Sequence, residues 1–216
     1  MSSRSETISR LLDPGVIPVI RAQYAEDVMP ACEALLAGGL NALEITMTTP
    51  NALALVREAC KRFGARAVIG VGTVMNPAMC LEAVKAGAEF VVSPITVPGI
   101  AHAAQGADCV CLLGAFTPTE AQAAHEAGAD FVKIFPAISP AYVAAMLGPL
   151  PHLKVVPTSG VDLKTGPEYF AIGCPLVGIG SSLVSAKILR EKNWPELTRL
   201  AAEFAAMARK APRKSP

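Results

Sequence analysis

Eight apolar, β-branched segments recur along the chain at intervals of about 20–27 residues, the length of a strand, a helix and two short loops. Between them lie Ala- and Leu-rich stretches with apolar residues at helical spacing. The segments are VIPVIRA (16–22), ALEITM (42–47), AVIGVGT (67–73), FVVSP (90–94), CVCLLGAF (109–116), FVKIFP (131–136), KVVPTSG (154–160) and LVGIGSSL (176–183). Eight such units predict an α/β protein folded as a single (β/α)8 TIM barrel.

The residues outside the eight segments add an N-terminal helix and one domain to this prediction. The residues before Val16 indicate an extra N-terminal helix that closes the bottom of the barrel. No low-complexity linker interrupts the chain, so residues 1–216 are expected to form one domain. The alternative architecture is an open doubly wound sheet, which needs a weak or polar edge strand, and none of the eight segments has that character.

Composition and charge restrict the location and the partners. Hydrophobic residues make up 52% of the chain and charged residues 17%, as suits strands buried on both faces. The net charge of +1 gives no reason to expect nucleic acid or a membrane surface as a partner, and no apolar run is long enough to span a bilayer. An amino terminus without a signal-peptide core and six scattered cysteines favour the reducing cytoplasm.

Three charged residues interrupt the apolar segments, and reactive groups of a barrel lie at the carboxyl ends of its strands. They are Arg21, Glu44 and Lys133. Lys133 stands between Val132 and Ile134, where an ammonium is costly to bury and where a neutral amine is a nucleophile able to form a Schiff base. An equally weighted alternative is a structural lysine that pairs with a carboxylate or reaches water at the strand end.

Glu44 and Arg21 each have a catalytic and a structural interpretation. Glu44 is either a general acid/base or the ion-pair partner of Lys133, and the two roles are compatible. Arg21 either holds a substrate carboxylate through two hydrogen bonds or forms a salt bridge to Glu44 at the end of the barrel.

Small residues end the last two segments. PTSGV (157–161) and GIGSSL (178–183) predict exposed backbone N–H groups and helix starts, which together form an anion site of the kind that holds phosphate in barrels. The alternative is close strand-to-helix packing. A metal site is not expected, because the three histidines lie in helical or loop stretches and no HxH or HExxH motif occurs.

As an ordered set, the motifs resemble one known family. From about Val16 to Val184 the chain is similar to 2-keto-3-deoxy-6-phosphogluconate aldolase, which is also known as 4-hydroxy-2-oxoglutarate aldolase. The matching motifs are VIPVIRA, GGLNALEITMTTP, IGVGTV, FVVSP, GAFTPTE, FVKIFPA, VVPTSGV and VGIGSSLV. Each fragment is common by itself, whereas the set is specific.

This resemblance implies a role for each candidate residue. Lys133 would form the Schiff base and Glu44 would be the general acid/base. The remaining contacts would be Thr73 to the pyruvyl carboxylate, Pro94 and Phe135 as apolar walls of the pyruvate pocket, Thr158 near the substrate hydroxyls, and Ser159, Gly160 and Ser181 at the phosphate. Members of the family are typically homotrimers that need no metal, and the covalent Schiff base replaces a cofactor.

Two positions depart from the common family pattern. Thr48 stands where many members carry the arginine that binds the carboxylate, and we expect Arg21 in the first segment to replace it. The chain reads PTSG where PTGG is common, so the Cβ of Ser159 lies near the phosphate position. With these departures the pyruvate chemistry is still expected, whereas the motifs do not determine which aldehyde is released.

The expected reaction is the reversible cleavage of 2-keto-3-deoxy-6-phosphogluconate to pyruvate and glyceraldehyde 3-phosphate. The small-molecule partner is thus a 2-keto acid. Alternatives within the class are cleavage of 4-hydroxy-2-oxoglutarate or of another 2-keto-3-deoxy sugar acid. A phosphosugar isomerase or epimerase would share the phosphate site but leaves Lys133 without a role, and a non-catalytic scaffold leaves Glu44, Thr73 and Lys133 unexplained.

Overall fold

The computed structural model describes residues 3–213, in which eight parallel strands alternate with helices. The ends of the expected domain, residues 1–2 and 214–216, lie outside the described residues. The strands are β1 (Val16–Ile20), β2 (Ala42–Thr46), β3 (Val68–Gly72), β4 (Phe90–Val92), β5 (Val110–Ala115), β6 (Phe131–Ile134), β7 (Val155–Pro157) and β8 (Val177–Ile179). The helices are α1 (Arg4–Leu11), α2 (Val28–Ala37), α3 (Ala52–Phe63), α4 (Pro77–Lys85), α5 (Pro98–Gly106), α6 (Pro118–Glu126), α7 (Pro140–Leu147), α8 (Gly166–Ala171), α9 (Ala186–Glu191) and α10 (Trp194–Lys210).

The strands close into a nearly complete barrel, which confirms the predicted (β/α)8 architecture. Their order is β7-β6-β5-β4-β3-β2-β1-β8, and all paired strands run parallel. The circle is completed by a parallel bridge between Thr158, just after β7, and Gly178 in β8. A Cβ at Gly178 would collide with the side chain of Thr158, so this seam needs glycine.

Two apolar clusters fill the two sides of the strands. The larger cluster lies between the barrel and its helices. The smaller cluster lies inside the barrel and includes Ile17, Phe90 and Phe131, with Leu11 of α1 packed against its lower end. The predicted N-terminal helix is therefore present and acts as the plug of the barrel. None of the helices within residues 3–213 is long and apolar enough to cross a membrane.

Ion pairs and N-caps fix the helices to this frame. The guanidinium of Arg4 pairs with Asp130 at 2.8 Å, which ties α1 to the start of β6. Thr117 caps α6 in a reciprocal capping box with Glu120, and Asn76 caps α4. Thr49 does not cap the next helix, because α3 begins only at Ala52 and the Thr49 side chain is buried.

We expect Leu11→Ala to lower the free energy of unfolding by about 2–5 kcal/mol, because Leu11 is fully buried where the plug meets the barrel. Denaturant unfolding followed by circular dichroism measures this change. The adjacent Leu12 is 37% exposed, so Leu12→Ala is the matched control and should cost less than about 1 kcal/mol. Equal losses in both variants would contradict the assignment of α1 as a plug.

Candidate active site

A cavity of about 460 Å³ opens at the carboxyl ends of β1, β6, β7 and β8. Its lining includes a strand lysine, an arginine at the mouth, an aromatic ring and two turns rich in small residues. The structure thus brings together seven of the residues selected from the sequence: Arg21, Lys133, Phe135, Thr158, Ser159, Gly160 and Ser181.

Lys133 projects into the barrel from the middle of β6. Its neighbours in register are Gly114 of β5 and Val156 of β7, which offer no charge, and the residue is only 7% exposed. Its amine lies 5.2 Å from the centre of the Phe135 ring. Across residues 3–213 Lys133 forms no ion pair. The interpretation of Lys133 as a structural lysine paired with a carboxylate therefore has no support in the geometry.

Glu44 is buried in β2, opposite Val19 of β1 and Gly70 of β3. Its carboxylate occupies the space that a Cβ at Gly72 would need, so glycine at the end of β3 makes room for the acid. Burial raises the pKa of the Glu44 carboxyl above its ordinary value, and the charges of Lys133 and Arg21 offset only part of this rise. A buried carboxyl of this kind holds its proton more strongly than an exposed one.

Arg21 follows β1 and is exposed at the mouth of the cavity. Its Nη1 donates a hydrogen bond to Thr48 Oγ1 at 2.6 Å. No salt bridge links Arg21 to Glu44 in the part of the chain that the structure describes. Thr48 thus holds the Arg21 guanidinium. It is the position at which the resemblance expects an arginine.

Two turns, which follow β7 and β8, form one wall of the cavity. Ser159 and Gly160 both have positive φ, 64° and 82°, and Gly180 accepts hydrogen bonds from the N–H groups of Leu183 and Val184 at 3.0 and 2.9 Å. Ser182, which the sequence analysis did not select, donates to the Val161 carbonyl at 2.6 Å and joins the turns. The only feature of the sequence that could have indicated Ser182 is its place as the second serine of GIGSSL.

These turns replace the helix starts expected at the same positions. Helix α8 begins at Gly166 and α9 at Ala186, several residues beyond Gly160 and Ser181. The difference arises because consecutive left-handed residues and a tight turn extend the loops before each helix begins. Any anion bound here would therefore meet turn N–H groups rather than helix ends.

Neither Thr73 nor Pro94 lines the main cavity. Thr73 directly follows β3 with φ of 62°, a strained conformation for a β-branched residue. Pro94 follows β4 and lines a neighbouring depression of about 230 Å³, which shares Phe135 with the cavity. Phe135 is therefore the wall between the two spaces.

No cluster of three His, Cys, Asp or Glu side chains suited to a metal ion occurs between residues 3 and 213. His125 and His152 face each other, with ring centres 5.0 Å apart, and His152 also contacts Gln122 on α6 at 2.9 Å. These histidines thus contact each other and α6 rather than the cavity.

A family model described as "KDPG and KHG aldolase" matches residues 7–200. The chain belongs to this family. It is therefore an aldolase, a carbon–carbon lyase, and the resemblance found in the motifs is confirmed. The match covers all eight strands and nine of the ten helices in full or in large part.

Individual relatives agree with the family assignment. The chain is 32% identical over 205 residues to the 2-dehydro-3-deoxy-phosphogluconate aldolase of Pseudomonas aeruginosa, with 94% of this chain and 92% of that protein covered. It is 34% identical over 171 residues to a probable 2-dehydro-3-deoxy-6-phosphogalactonate aldolase of Rhizobium meliloti, covering 78% and 81%. A crystal structure of KDPG aldolase from Legionella pneumophila, with pyruvate captured as a covalent carbinolamine, superposes with a TM-score of 0.81 at 31% identity, covering 91% and 96%.

The raised pKa of Glu44 predicts a pH-dependent gain in stability for Glu44→Gln. In the folded protein this carboxyl binds its proton more tightly than in the unfolded chain, so wild-type stability falls as pH rises from 4.5, the ordinary value, through the raised value. Glutamine avoids this loss. The variant should therefore be more stable than wild type at neutral pH, and the difference should vanish below about pH 4.5.

Thermal and urea unfolding between pH 4 and 8 measure this difference. Glu58→Gln on the surface of α3 is the control and should change the free energy of unfolding by less than about 1 kcal/mol at any of these pH values. A Glu44→Gln protein that is less stable than wild type at neutral pH would identify Glu44 as a structural ion partner instead.

Proposed function

We propose that this aldolase reversibly cleaves 2-keto-3-deoxy-6-phosphogluconate to pyruvate and glyceraldehyde 3-phosphate through a Schiff base on Lys133. The observation that carries the proposal is a buried lysine that forms no salt bridge with a carboxylate of residues 3–213 and faces a cavity at the carboxyl ends of the strands. An unpaired amine in an apolar barrel is available as a nucleophile.

The reaction begins when the Lys133 amine attacks the C2 carbonyl of the substrate. The protonated Glu44 carboxyl donates its proton to the carbinolamine hydroxyl, which leaves as water, and an iminium forms. The Glu44 carboxylate then accepts the proton of the C4 hydroxyl while the C3–C4 bond breaks and its electron pair moves into the iminium. The products are the aldehyde and an enamine, and protonation at C3 followed by hydrolysis releases pyruvate and the free amine.

The substrate extends from the arginine at the mouth to the two turns. Arg21 binds the C1 carboxylate through charged hydrogen bonds. The other contacts that we propose are Thr73 at the pyruvyl group, Pro94 and Phe135 as apolar walls, Thr158 at the hydroxyls, and Ser159, Gly160 and Ser181 at the phosphate. The support for this direction is the position of Arg21 and the serine turns at different parts of the lining of one cavity.

No metal or other cofactor is needed in this mechanism, because the iminium itself accepts the electron pair. A second candidate substrate is a 2-keto-3-deoxy-6-phosphogalactonate, because the Rhizobium meliloti relative carries that name. Arg21 would bind the carboxylate of either epimer, and the site of discrimination would be the C4 hydroxyl near Thr158.

We also propose that the protein is a cytoplasmic homotrimer. The six cysteines are free thiols, which suits a reducing compartment. Ile95, Phe116 and Ile138 are exposed beside Phe135 at the carboxyl ends of the strands, which supports burial of this rim against another subunit. Sedimentation equilibrium reads out the subunit number directly.

Treatment with pyruvate and borohydride should attach a reduced pyruvyl group to Lys133 and inactivate the enzyme. The reason is that reduction converts the iminium into a stable secondary amine. Peptide mass spectrometry locates the adduct. Lys133→Met should abolish both labelling and cleavage, whereas Lys154→Met is the control, because Lys154 is exposed just before β7. An adduct on another lysine, or activity that is lost on chelation and restored by a divalent ion, would refute this mechanism.

Ser181→Asp should reduce cleavage of the phosphorylated sugar acid by more than about tenfold, because a carboxylate near a phosphate dianion repels it in a poorly solvated cavity. The shorter 4-hydroxy-2-oxoglutarate, which carries no phosphate, should be cleaved at a nearly unchanged rate. The kcat/KM values for the two substrates, measured by pyruvate release, provide the comparison. Unchanged values for both would show that the phosphate does not bind beside Ser181.

A further inference from the structure

A chain of hydrogen bonds connects the end of β1 to the loop after β2. Arg21 Nη1 donates to Thr48 Oγ1 at 2.6 Å, and Thr48 Oγ1 lies 3.0 Å from Thr46 Oγ1. Thr46 Oγ1 lies 3.3 Å from Thr49 Oγ1, which accepts from the Ala22 N–H at 3.2 Å. This series of hydrogen bonds therefore starts at the Arg21 side chain and ends at the backbone N–H of Ala22, the next residue.

The arginine and the Ala22 N–H determine the direction of the two outer bonds of this network. A guanidinium only donates, so Thr48 must accept from it and has its own hydrogen free for Thr46. Thr49 accepts from the Ala22 N–H and still has a hydrogen and a lone pair, so the bond between Thr46 and Thr49 forms in either direction. Each hydroxyl is thus used consistently, and none of these bonds competes with another.

Burial differs sharply between the two ends. Thr46 and Thr49 are buried, with exposures of 0% and 2%, whereas Arg21 and Thr48 are exposed. An exposed arginine has many rotamers, and ordering it upon binding costs conformational entropy. Thr48 links the exposed guanidinium to the buried Thr46 hydroxyl, which in turn contacts Thr49, so much of this ordering is complete before substrate arrives.

We propose that Thr48 is a positioning residue that, held by the buried Thr46 hydroxyl, orients the Arg21 guanidinium toward the carboxylate of the 2-keto acid. This inference rests on the proposed function, in which Arg21 binds that carboxylate. Thr46 lies two residues after Glu44 on the same face of β2. The hydroxyl that supports Thr48 and the buried acid therefore belong to one strand. The loop after β2 carries no arginine, but through Thr48 it determines the orientation of Arg21.

The test uses Thr48→Val, which removes the hydroxyl and keeps the shape. The concentration of pyruvate that gives half-maximal borohydride trapping, and the KM of the sugar acid, should both rise about 5- to 20-fold. The kcat should change less than about threefold, since the hydroxyl does not touch the reacting atoms. Thr48→Ser restores the acceptor and should return both constants to within about twofold of wild type.

A double-mutant cycle separates positioning from other effects. Arg21→Met alone should raise the trapping constant more than Thr48→Val does, and adding Thr48→Val to Arg21→Met should change it less than about twofold. Thr198→Val is the control for removal of a threonine hydroxyl, because Thr198 bonds to Ala34 O far from the cavity, and it should leave both constants unchanged.

Each possible failure has its own signature. A normal trapping constant for Thr48→Val beside a raised one for Arg21→Met would overturn the positioning role and leave the proposed function intact. Independent, multiplying effects of the two substitutions would also overturn it, because Thr48 would then act by a route other than Arg21. A normal trapping constant for Arg21→Met would overturn the carboxylate role of Arg21, and the inference with it.

Discussion

The arrangement of the site depends on the burial of two ionisable side chains inside an apolar barrel. Lys133 and Glu44 project inward above a layer that includes Ile17, Phe90 and Phe131. No ion pair joins them within residues 3–213, and burial outweighs the nearby positive charges in raising the pKa of the Glu44 carboxyl. Lys133 and Glu44 are therefore buried side chains without a salt bridge among the described residues, and this is the feature on which the proposed Schiff-base chemistry depends.

Room for these groups comes from residues that contribute little or no side chain. Gly72 leaves space for the Glu44 carboxylate, and Gly178 leaves space for Thr158 at the seam of the barrel. Packed interiors have few voids, so a larger residue at either position would displace the very side chain that faces it. Gly72 and Gly178 are therefore part of the site although they have no reactive side chain.

The parts of the site that we propose bind the anionic ends of the substrate are built differently from Lys133 and Glu44. Arg21 is held by a hydroxyl of the loop after β2, and the serine turns after β7 and β8 are joined by Ser182 and the Val161 carbonyl. Arg21 and the serine turns lie at the rim, where water solvates charge and no desolvation penalty arises. The Lys133 amine and the Glu44 carboxyl lie deeper in the barrel. This division matches a substrate whose charged ends remain near solvent and whose carbonyl enters the barrel.

The sequence by itself determined the eight strands and the plugging helix, because apolar periodicity is local. It also marked Lys133 and Glu44 as candidates, because a charged residue inside an apolar strand is visible in the sequence without any contact. Tertiary structure alone decided the rest. Arg21 bonds to Thr48 rather than Glu44, turns rather than helix starts follow β7 and β8, and Pro94 faces a separate depression. These features depend on strand register, loop backbone angles and side-chain direction, which bring together residues 20 or more positions apart and leave no periodic trace in the sequence.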